Sequence, residues 1–199
     1  IVVRAALERS GGDRRSVRAL AVSSQGISFV LVDRAGRPLG NAISWLDTRA
    51  AAESASILAR YSAERLFAIT GKRASPAYVL PKLLWLRQHR PDQWSRAWRV
   101  LLSHDYLVYR ACGECVTDHS LAGGTLLYDL HAANWSDELL AAFDVAPELL
   151  PGLRWAGTPV GTLRPAAAEE LGLTPATIVV VGGQDQKCAA LGAGVTAGV

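Results

Sequence analysis

The sequence predicts an α/β domain in which a helical insertion separates an antiparallel hairpin from a later buried strand. Short apolar runs with turn residues between them occupy the start of the chain, and helical patterns dominate from residue 47 to residue 172. A run of β-branched residues then returns at 177–181 and leads into small, helix-forming residues. Because this late strand is apolar on both faces, it suits the middle of an α/β sheet.

The early segments predict three strands in close succession, at least two of them antiparallel, on one side of a sheet. Turn residues between the second and third strands favour a hairpin. The predicted segments are the end of a helix at 4–10, strands at 18–24 and 28–33, a turn at 34–40 and the closing strand of the hairpin at 41–45.

Helical patterns fill the middle of the chain, and residues typical of helix ends support them. Asp47 or Thr48 suits the N-cap of the first helix, Ser136 suits the cap of a later one, and Gly113 and Gly172 follow helix ends. The predicted helices cover residues 47–61, 63–69, 79–88, 91–100, 104–112, 136–144 and 165–172.

The composition argues against several classes of protein. Half of the 199 residues are hydrophobic, which argues against disorder, and the length suffices for one substantial core. The net charge of +3 comes from scattered arginines rather than a basic stripe, so we expect no nucleic-acid partner. No apolar run approaches the roughly 20 residues that cross a bilayer, so we expect no membrane partner either. Three cysteines, an odd number, and the lack of a secretory segment at the start predict reduced thiols and a cytoplasmic location.

The stretch GGQDQ, residues 182–186, places Asp185 at the junction of the late strand and the following helix. Ligands of open α/β sheets collect beyond the carboxyl ends of the strands. A carboxylate at this junction has two possible roles: it caps the helix, or it acts as a general base that takes the proton of an attacking hydroxyl. The two glycines would let a ligand approach closely, and the glutamines could bind hydroxyl groups. Position alone leaves both roles open.

Six segments, in the same order along the chain, resemble the FGGY family of carbohydrate kinases. Together they extend from about Arg18 to Val195, and their shared order makes the resemblance specific. The resemblance implies a ribonuclease H-like, actin-type α/β fold and an ATP-dependent kinase, with Mg²⁺, whose substrate is a small-molecule sugar or polyol. The segments are AVSSQGISFVLVDRAGRPLGNAISWLDTRA, PKLLWLRQH, LLSHDYLVYRACGECVTDHSLAGGTLLYDL, NWSDELL, VGTLRPAAAEELGL and VVVGGQDQKCAALGAGV.

The resemblance also implies roles for three residues. Asp185 matches the catalytic base of the family, and Gln186 matches its polar companion at the substrate. Trp45 matches an aromatic wall of the sugar pocket, where a flat apolar face can pack on the C–H side of a sugar. The alternative for Trp45 is an ordinary core aromatic at the end of a strand.

The substrate loop departs from its relatives. After Gln25, xylulose kinases usually carry Met-His and glycerol kinases Arg-Glu, whereas this chain has Gly26 and Ile27, which cannot bind a hydroxyl through their side chains. Ala77 likewise stands where glycerol kinases have a larger pocket residue. We therefore expect Gln25, Gly26, Ile27 and Ala77 to contribute to a roomier or more apolar substrate site, for a sugar that the sequence does not identify.

The resemblance covers the sugar-binding part of the family. We expect residues 1–199 to form a single N-terminal domain that lacks the first phosphate-binding hairpin and the C-terminal nucleotide domain, so the isolated chain is expected not to turn over ATP. Two alternatives remain open: a non-catalytic carbohydrate-binding or regulatory module derived from the kinase fold, and a kinase of a small signalling molecule. A truncated sheet edge or an exposed interdomain face could also produce a homodimer.

Two further motifs favour structural interpretations. Cys112, Cys115, Asp118 and His119 lie within eight residues, but no second cysteine pair completes a tetrahedral site. We therefore assign no metal ligand and expect a helix end followed by a turn anchored by Asp118. The stretch GAGVTAG, residues 192–198, lacks the G-x-G-x-x-G spacing and follows a helix, which favours helix capping over dinucleotide binding.

Overall fold

The computed structural model describes residues 2–195 of the chain, so part of the 192–198 motif lies outside the described residues. Short 3₁₀ turns occur at Arg14–Ser16 and Pro147–Leu149. The helices in this range are α1 (Val2–Ser10), α2 (Ala51–Arg60), α3 (Ala63–Thr70), α4 (Val79–His89), α5 (Pro91–Arg96), α6 (Ser103–Cys112), α7 (His119–Ala122), α8 (Asp137–Phe143), α9 (Pro165–Leu171) and α10 (Asp185–Gly192). The strands are β1 (Ala19–Ser24), β2 (Phe29–Val32), β3 (Arg99–Leu102), β4 (Val116–Asp118), β5 (Tyr128–Asp129), β6 (Asn134–Trp135), β7 (Gly152–Arg154), β8 (Pro159–Thr162) and β9 (Ile178–Gln184).

The late strand β9 occupies the middle of the main sheet, as predicted. It pairs in parallel with β1 and antiparallel with β8, in the order β1-β9-β8. Val179 and Val181 point into a core, whereas Val180 between them is half-buried, so one face of the strand is covered more completely than the other. Because β1 and β9 run in parallel, their carboxyl ends meet at one edge of the sheet, where Asp185 and the turn at 25–27 follow.

The predicted arrangement of the early strands is wrong in one respect. The three early segments do not share one sheet, because β1 belongs to the main sheet and β2 pairs antiparallel with β3. The chain at residues 38–43, predicted to be the partner of β2 in the hairpin, meets β2 only through isolated bridges. Phe29 and Ile43 exchange two backbone hydrogen bonds at 3.1 and 2.8 Å, so the hairpin reverses direction as predicted without a full second strand. All four residues of β2 are buried, so their backbone N–H and C=O groups cannot bond to water. Pairing with β3, which is also largely buried, supplies hydrogen bonds for these groups.

Two predicted helix boundaries also differ. The helix predicted at 91–100 ends at Arg96, because Trp98 donates its backbone N–H to the Val32 carbonyl at 2.8 Å and begins the β2–β3 ladder. The helix predicted from residue 47 begins at Ala51, because Asp47 accepts the N–H of Arg49 at 2.9 Å in a tight turn of its own. The other predicted helices agree closely with α1, α3, α4, α6, α8 and α9. The short strands β4 to β8 were not predicted, because so few residues carry no clear periodicity.

Helix α6 packs against both the main sheet and the β2–β3 ladder. The larger core packs helices on one face of β2 and β3 and contains Ile57, Leu83 and Phe143, while a smaller core packs α6 and α9 against β9. The first turn of α6 therefore buries His104 and Asp105 completely. Within residues 2–195, no helix has both the length and the apolar character needed to cross a bilayer.

Candidate active site

A cavity of about 360 Å³ lies at the edge of the main sheet where β9 ends. Its walls come from the start of α10, the turn after β1, the segment after α3, the residue before α4 and the α7 turn. The volume falls within the range of roughly 300–1,000 Å³ that is typical of small-molecule sites. The lining includes Ile27, Tyr78, His119, Gln184 and Gln186.

Asp185 is the first residue of α10, and its side chain is exposed. The N-cap position belongs to Gln184, which makes no side-chain capping bond. The hydrogen bond that Asp185 makes among the described residues is a local one, in which Oδ1 accepts the N–H of Gln186 at 2.8 Å. The glutamines on both sides of Asp185 line the cavity, whereas Asp185 itself is not among the lining residues, so its contact with substrate stays a prediction.

The backbone just before Asp185 is held by a buried histidine. Nε2 of His104 accepts the N–H of Gly182 at 3.1 Å, so the ring is neutral and its Nδ1–H donates to Asp105 at 3.0 Å. Burial raises the pKa of Asp105 above its usual range, and the hydrogen bond from His104 opposes this rise. The ladder between β1 and β9 is irregular at this point, because its register shifts between Ala21 and Ser23. The histidine thus satisfies an N–H at an irregular position of the strand that leads to Asp185.

The α7 turn holds the next residues of the same strand. Oγ of Ser120 accepts the N–H of Gln184 at 3.0 Å and donates its own proton to Asp118 at 2.8 Å. Asp118 also accepts the N–H groups of Ser120 and Leu121 at 2.9 Å, which confirms its predicted role as a turn anchor. Gln184 is therefore fixed through its backbone, which leaves its side chain free to face the cavity.

Ile27, in the turn after β1, forms another part of the cavity wall. The N–H of Ser28 donates to the Gly26 carbonyl at 2.9 Å, and Ile27 between them has φ of 58°. A β-branched residue in this left-handed region is strained by about 1–2 kcal/mol, and such strain concentrates at functional sites. A Cβ on Gly26 would lie 2.8 Å from Nε2 of Gln184, so this turn and the end of β9 are in direct contact.

Four predicted substrate residues, Gln25, Gly26, Trp45 and Ala77, do not line this cavity. Gln25 is exposed, and its carbonyl accepts the Ser24 hydroxyl at 3.0 Å. Trp45 is 44% exposed, so the interpretation as a core aromatic is wrong. Its backbone N–H donates to Ser28 Oγ at 3.0 Å. Ala77 precedes the cavity residue Tyr78. Gln25, Trp45 and Ala77 thus adjoin the cavity through neighbouring residues, and their contact with substrate stays a prediction.

Several residues of the cavity were not predicted from the sequence. His119 bonds to the Tyr128 hydroxyl through Nδ1 at 2.7 Å and stacks on Trp155 with the ring centroids 3.8 Å apart. Burial raises the pKa of Tyr128. Lys72 and Lys187 add positive charge to the lining. The spacing of Asp118 and Ser120 is typical of a capped turn, but no sequence pattern indicates that this turn faces β9.

Cys112, Cys115 and His131 have structural surroundings. Burial raises the pKa of both Cys112 and Cys115, which disfavours the thiolate needed for metal binding or redox chemistry at neutral pH. In residues 2–195, no group of three or more His, Cys, Asp or Glu side chains is arranged to hold a metal ion. His131 bonds to the Ala68 carbonyl at 3.1 Å.

The chain matches the model of the "FGGY family of carbohydrate kinases, N-terminal domain" over residues 1–192. Xylulose kinase of Klebsiella pneumoniae is 38% identical over 181 residues, which are 91% of this chain and 37% of that protein. L-Fuculokinase of Escherichia coli strain K12 is 36% identical over 178 residues, which are 89% of this chain and 38% of that protein. The chain therefore spans well under half the length of these relatives.

Solved structures show the same similarity. A ligand-bound xylulose kinase from Lactobacillus acidophilus superposes with a TM-score of 0.88 at 25% identity, over 97% of this chain and 39% of that one. This similarity confirms the predicted actin-type α/β fold. The chain belongs to the FGGY family of carbohydrate kinases and matches the N-terminal domain of that family over nearly its whole length.

Proposed function

We propose that this chain is the substrate-side domain of an ATP-dependent kinase that phosphorylates a hydroxyl group of a sugar or polyol. The observation that carries the proposal is the exposed carboxylate of Asp185, which stands between two glutamines that line the cavity. Transfer of a phosphoryl group to an alcohol depends mainly on positioning and on stabilisation of charge, with one carboxylate to receive the proton. These are the groups that this edge of the sheet provides.

In the proposed reaction, Asp185 takes up the proton of the substrate hydroxyl as its oxygen attacks. Gln184 and Gln186 offer amide donors and acceptors to the other hydroxyl groups, while Ile27 presents an apolar surface to the C–H side of the sugar. Bound ATP supplies the phosphoryl group. The lysines of the lining, Lys72 and Lys187, place positive charge where negative charge develops on the transferred group.

We assign Mg-ATP mainly to parts of the full-length protein outside this chain. Residues 2–195 present no cluster of metal-binding side chains, and the family resemblance implies a separate nucleotide domain. The isolated 199-residue chain is then expected to be inactive. A coupled assay in which it phosphorylates a sugar well above background would contradict this assignment.

The substrate class follows from the relatives only at a coarse level. Xylulose kinase and L-fuculokinase match this chain with similar identity, which supports a sugar and does not favour one of them. A thermal-shift panel of ketoses, aldoses, polyols and small signalling molecules on the full-length protein identifies the ligand, because a ligand of the native state raises apparent stability. Binding of a sugar without its phosphorylation would support the non-catalytic module instead.

The base assignment is tested by Asp185→Asn in the full-length protein. We expect kcat to fall by about 10²-fold or more, the usual effect of losing an acid–base group. Asp92→Asn is the control, because Asp92 is an exposed residue of α5. A loss of less than about tenfold in Asp185→Asn would show that another group takes the proton.

A further inference from the structure

The side chain of Lys82, on α4, is completely covered from solvent. Its Nζ donates to the Ser44 carbonyl at 2.7 Å and to the Ala77 carbonyl at 2.8 Å. None of the ion pairs found in residues 2–195 includes this lysine, so carbonyl dipoles rather than a carboxylate contact compensate its charge. Lysine is almost never fully buried without such partners, because an isolated buried ammonium is costly.

The two carbonyls belong to separate segments that both adjoin the candidate site. Ser44 precedes Trp45, and Ala77 precedes Tyr78, which lines the cavity. The N–H of Trp45 continues the connection by donating to Ser28 Oγ at 3.0 Å, next to the strained Ile27. One ammonium group thus links the Trp45 segment, and through it the Ile27 turn, to the segment before α4.

We propose that Lys82 is a positioning residue that holds the Trp45 segment and the 77–78 segment at a fixed separation, and thereby preorganises the sugar-facing walls. An apolar residue of similar volume would fill the same space without the cost of burying a charge. Unlike such an apolar residue, the ammonium makes hydrogen bonds to two backbone segments at once, those of Ser44 and Ala77. No regular sheet or helix of the described residues joins these two segments. The inference rests on the proposed function, because it takes these segments as parts of a sugar site.

The test compares Lys82→Met, which keeps the volume and removes both donors, with Leu83→Val, which trims the adjacent buried residue of α4. In the full-length protein we expect Lys82→Met to raise KM and Kd for the sugar at least tenfold, with kcat within threefold and KM for ATP unchanged. Leu83→Val should alter sugar affinity less than threefold. A folded Lys82→Met protein whose sugar affinity lies within twofold of wild type overturns the proposal.

Hydrogen exchange separates this proposal from the proposed function. The amides of Trp45 and Tyr78 should exchange at least tenfold faster in Lys82→Met, with α8 unchanged, whether or not a sugar has been identified. If the wild-type protein binds and phosphorylates no sugar, the proposed function fails, while the exchange rates still decide whether Lys82 fixes the segments. Unchanged exchange at both amides overturns the proposal.

A second variant keeps the test decisive if Lys82→Met does not fold. Lys82→Gln retains a neutral donor on a shorter side chain, which can satisfy one carbonyl rather than both. We expect it to show an intermediate rise in KM for the sugar and intermediate exchange at Trp45. A folded Lys82→Gln protein with wild-type values for both measurements contradicts the positioning role.

Discussion

Nε2 of His104 accepts the backbone N–H of Gly182 at 3.1 Å, three residues before the proposed catalytic Asp185. The histidine lies on α6 and the glycine on β9, so this bond connects the helix to the strand that ends at the proposed site. Asp105 orients the ring from its other side. The position of the carboxylate thus depends on packing well away from the cavity.

Loss of the histidine is expected to destabilise the domain. His104→Leu removes the acceptor of the Gly182 N–H and the donor to Oδ1 of the buried Asp105, which keeps the Leu102 N–H on Oδ2. We expect the free energy of unfolding to fall by about 3 kcal/mol. Denaturant titration of the chain measures the change. His131→Leu, at an exposed histidine with one carbonyl partner, serves as the control. Equal effects of the two substitutions would show that the buried bonds contribute little.

A side chain at Gly182 is expected to disrupt the same strand. Its Cβ would clash with the backbone of Val22 on β1, which cannot move as a side chain can. We expect Gly182→Ala to lower the free energy of unfolding by about 3 kcal/mol or more. Gly192→Ala is the matched control, since a Cβ at Gly192 meets nothing within 4 Å. Comparable stability of both variants in thermal denaturation would argue against close approach of β1 and β9.

A side chain at Gly26 is expected to affect the site rather than the fold. Its Cβ would meet the flexible end of Gln184, which can move away, so we expect stability to change by less than about 1 kcal/mol. The displaced amide should raise KM for the sugar several-fold in the full-length protein. Gly40→Ala provides a matched control, because its Cβ would meet the end of Gln93 at 3.1 Å, away from the cavity. An equal KM for the sugar in both variants would show that Gln184 does not contribute to sugar binding.

The buried lysine is expected to make stability depend on pH. Burial lowers the pKa of Lys82 from 10.5 to about 8, an effect that Asp47 partly offsets. The unfolded state therefore binds more protons between these values, and the contribution of Lys82 to stability rises with pH from about 8 to 10.5. It is lost as the pH falls through the folded value.

Lys82→Met isolates this contribution from other titrating groups. The difference in free energy of unfolding, wild type minus variant, should increase between pH 7 and pH 10. Denaturant titrations of both proteins across that range measure it. A difference that stays constant with pH would mean that the lysine keeps its ordinary pKa in the folded protein.

The local patterns of the sequence determined most element types and placed Asp185, the proposed catalytic residue, at the end of the central strand. Glycine and proline residues at helix ends helped to predict most helices. The β-branched run predicted the central strand β9 with Asp185 at its end. Ordered resemblance to the FGGY family predicted the fold class, which the comparisons confirm. Element types and family motifs can be predicted from the sequence because they depend on residues that are close together in the chain.

Tertiary structure alone decided which strands pair and what surrounds the carboxylate. The partner of β2 is β3, about 70 residues away, and no periodicity in either strand specifies the other. The contacts of His104 with Gly182 and of Lys82 with Ser44 join segments that are distant in sequence. Such contacts depend on which buried donors and acceptors remain unsatisfied once the chain is packed, and that is a property of the whole fold.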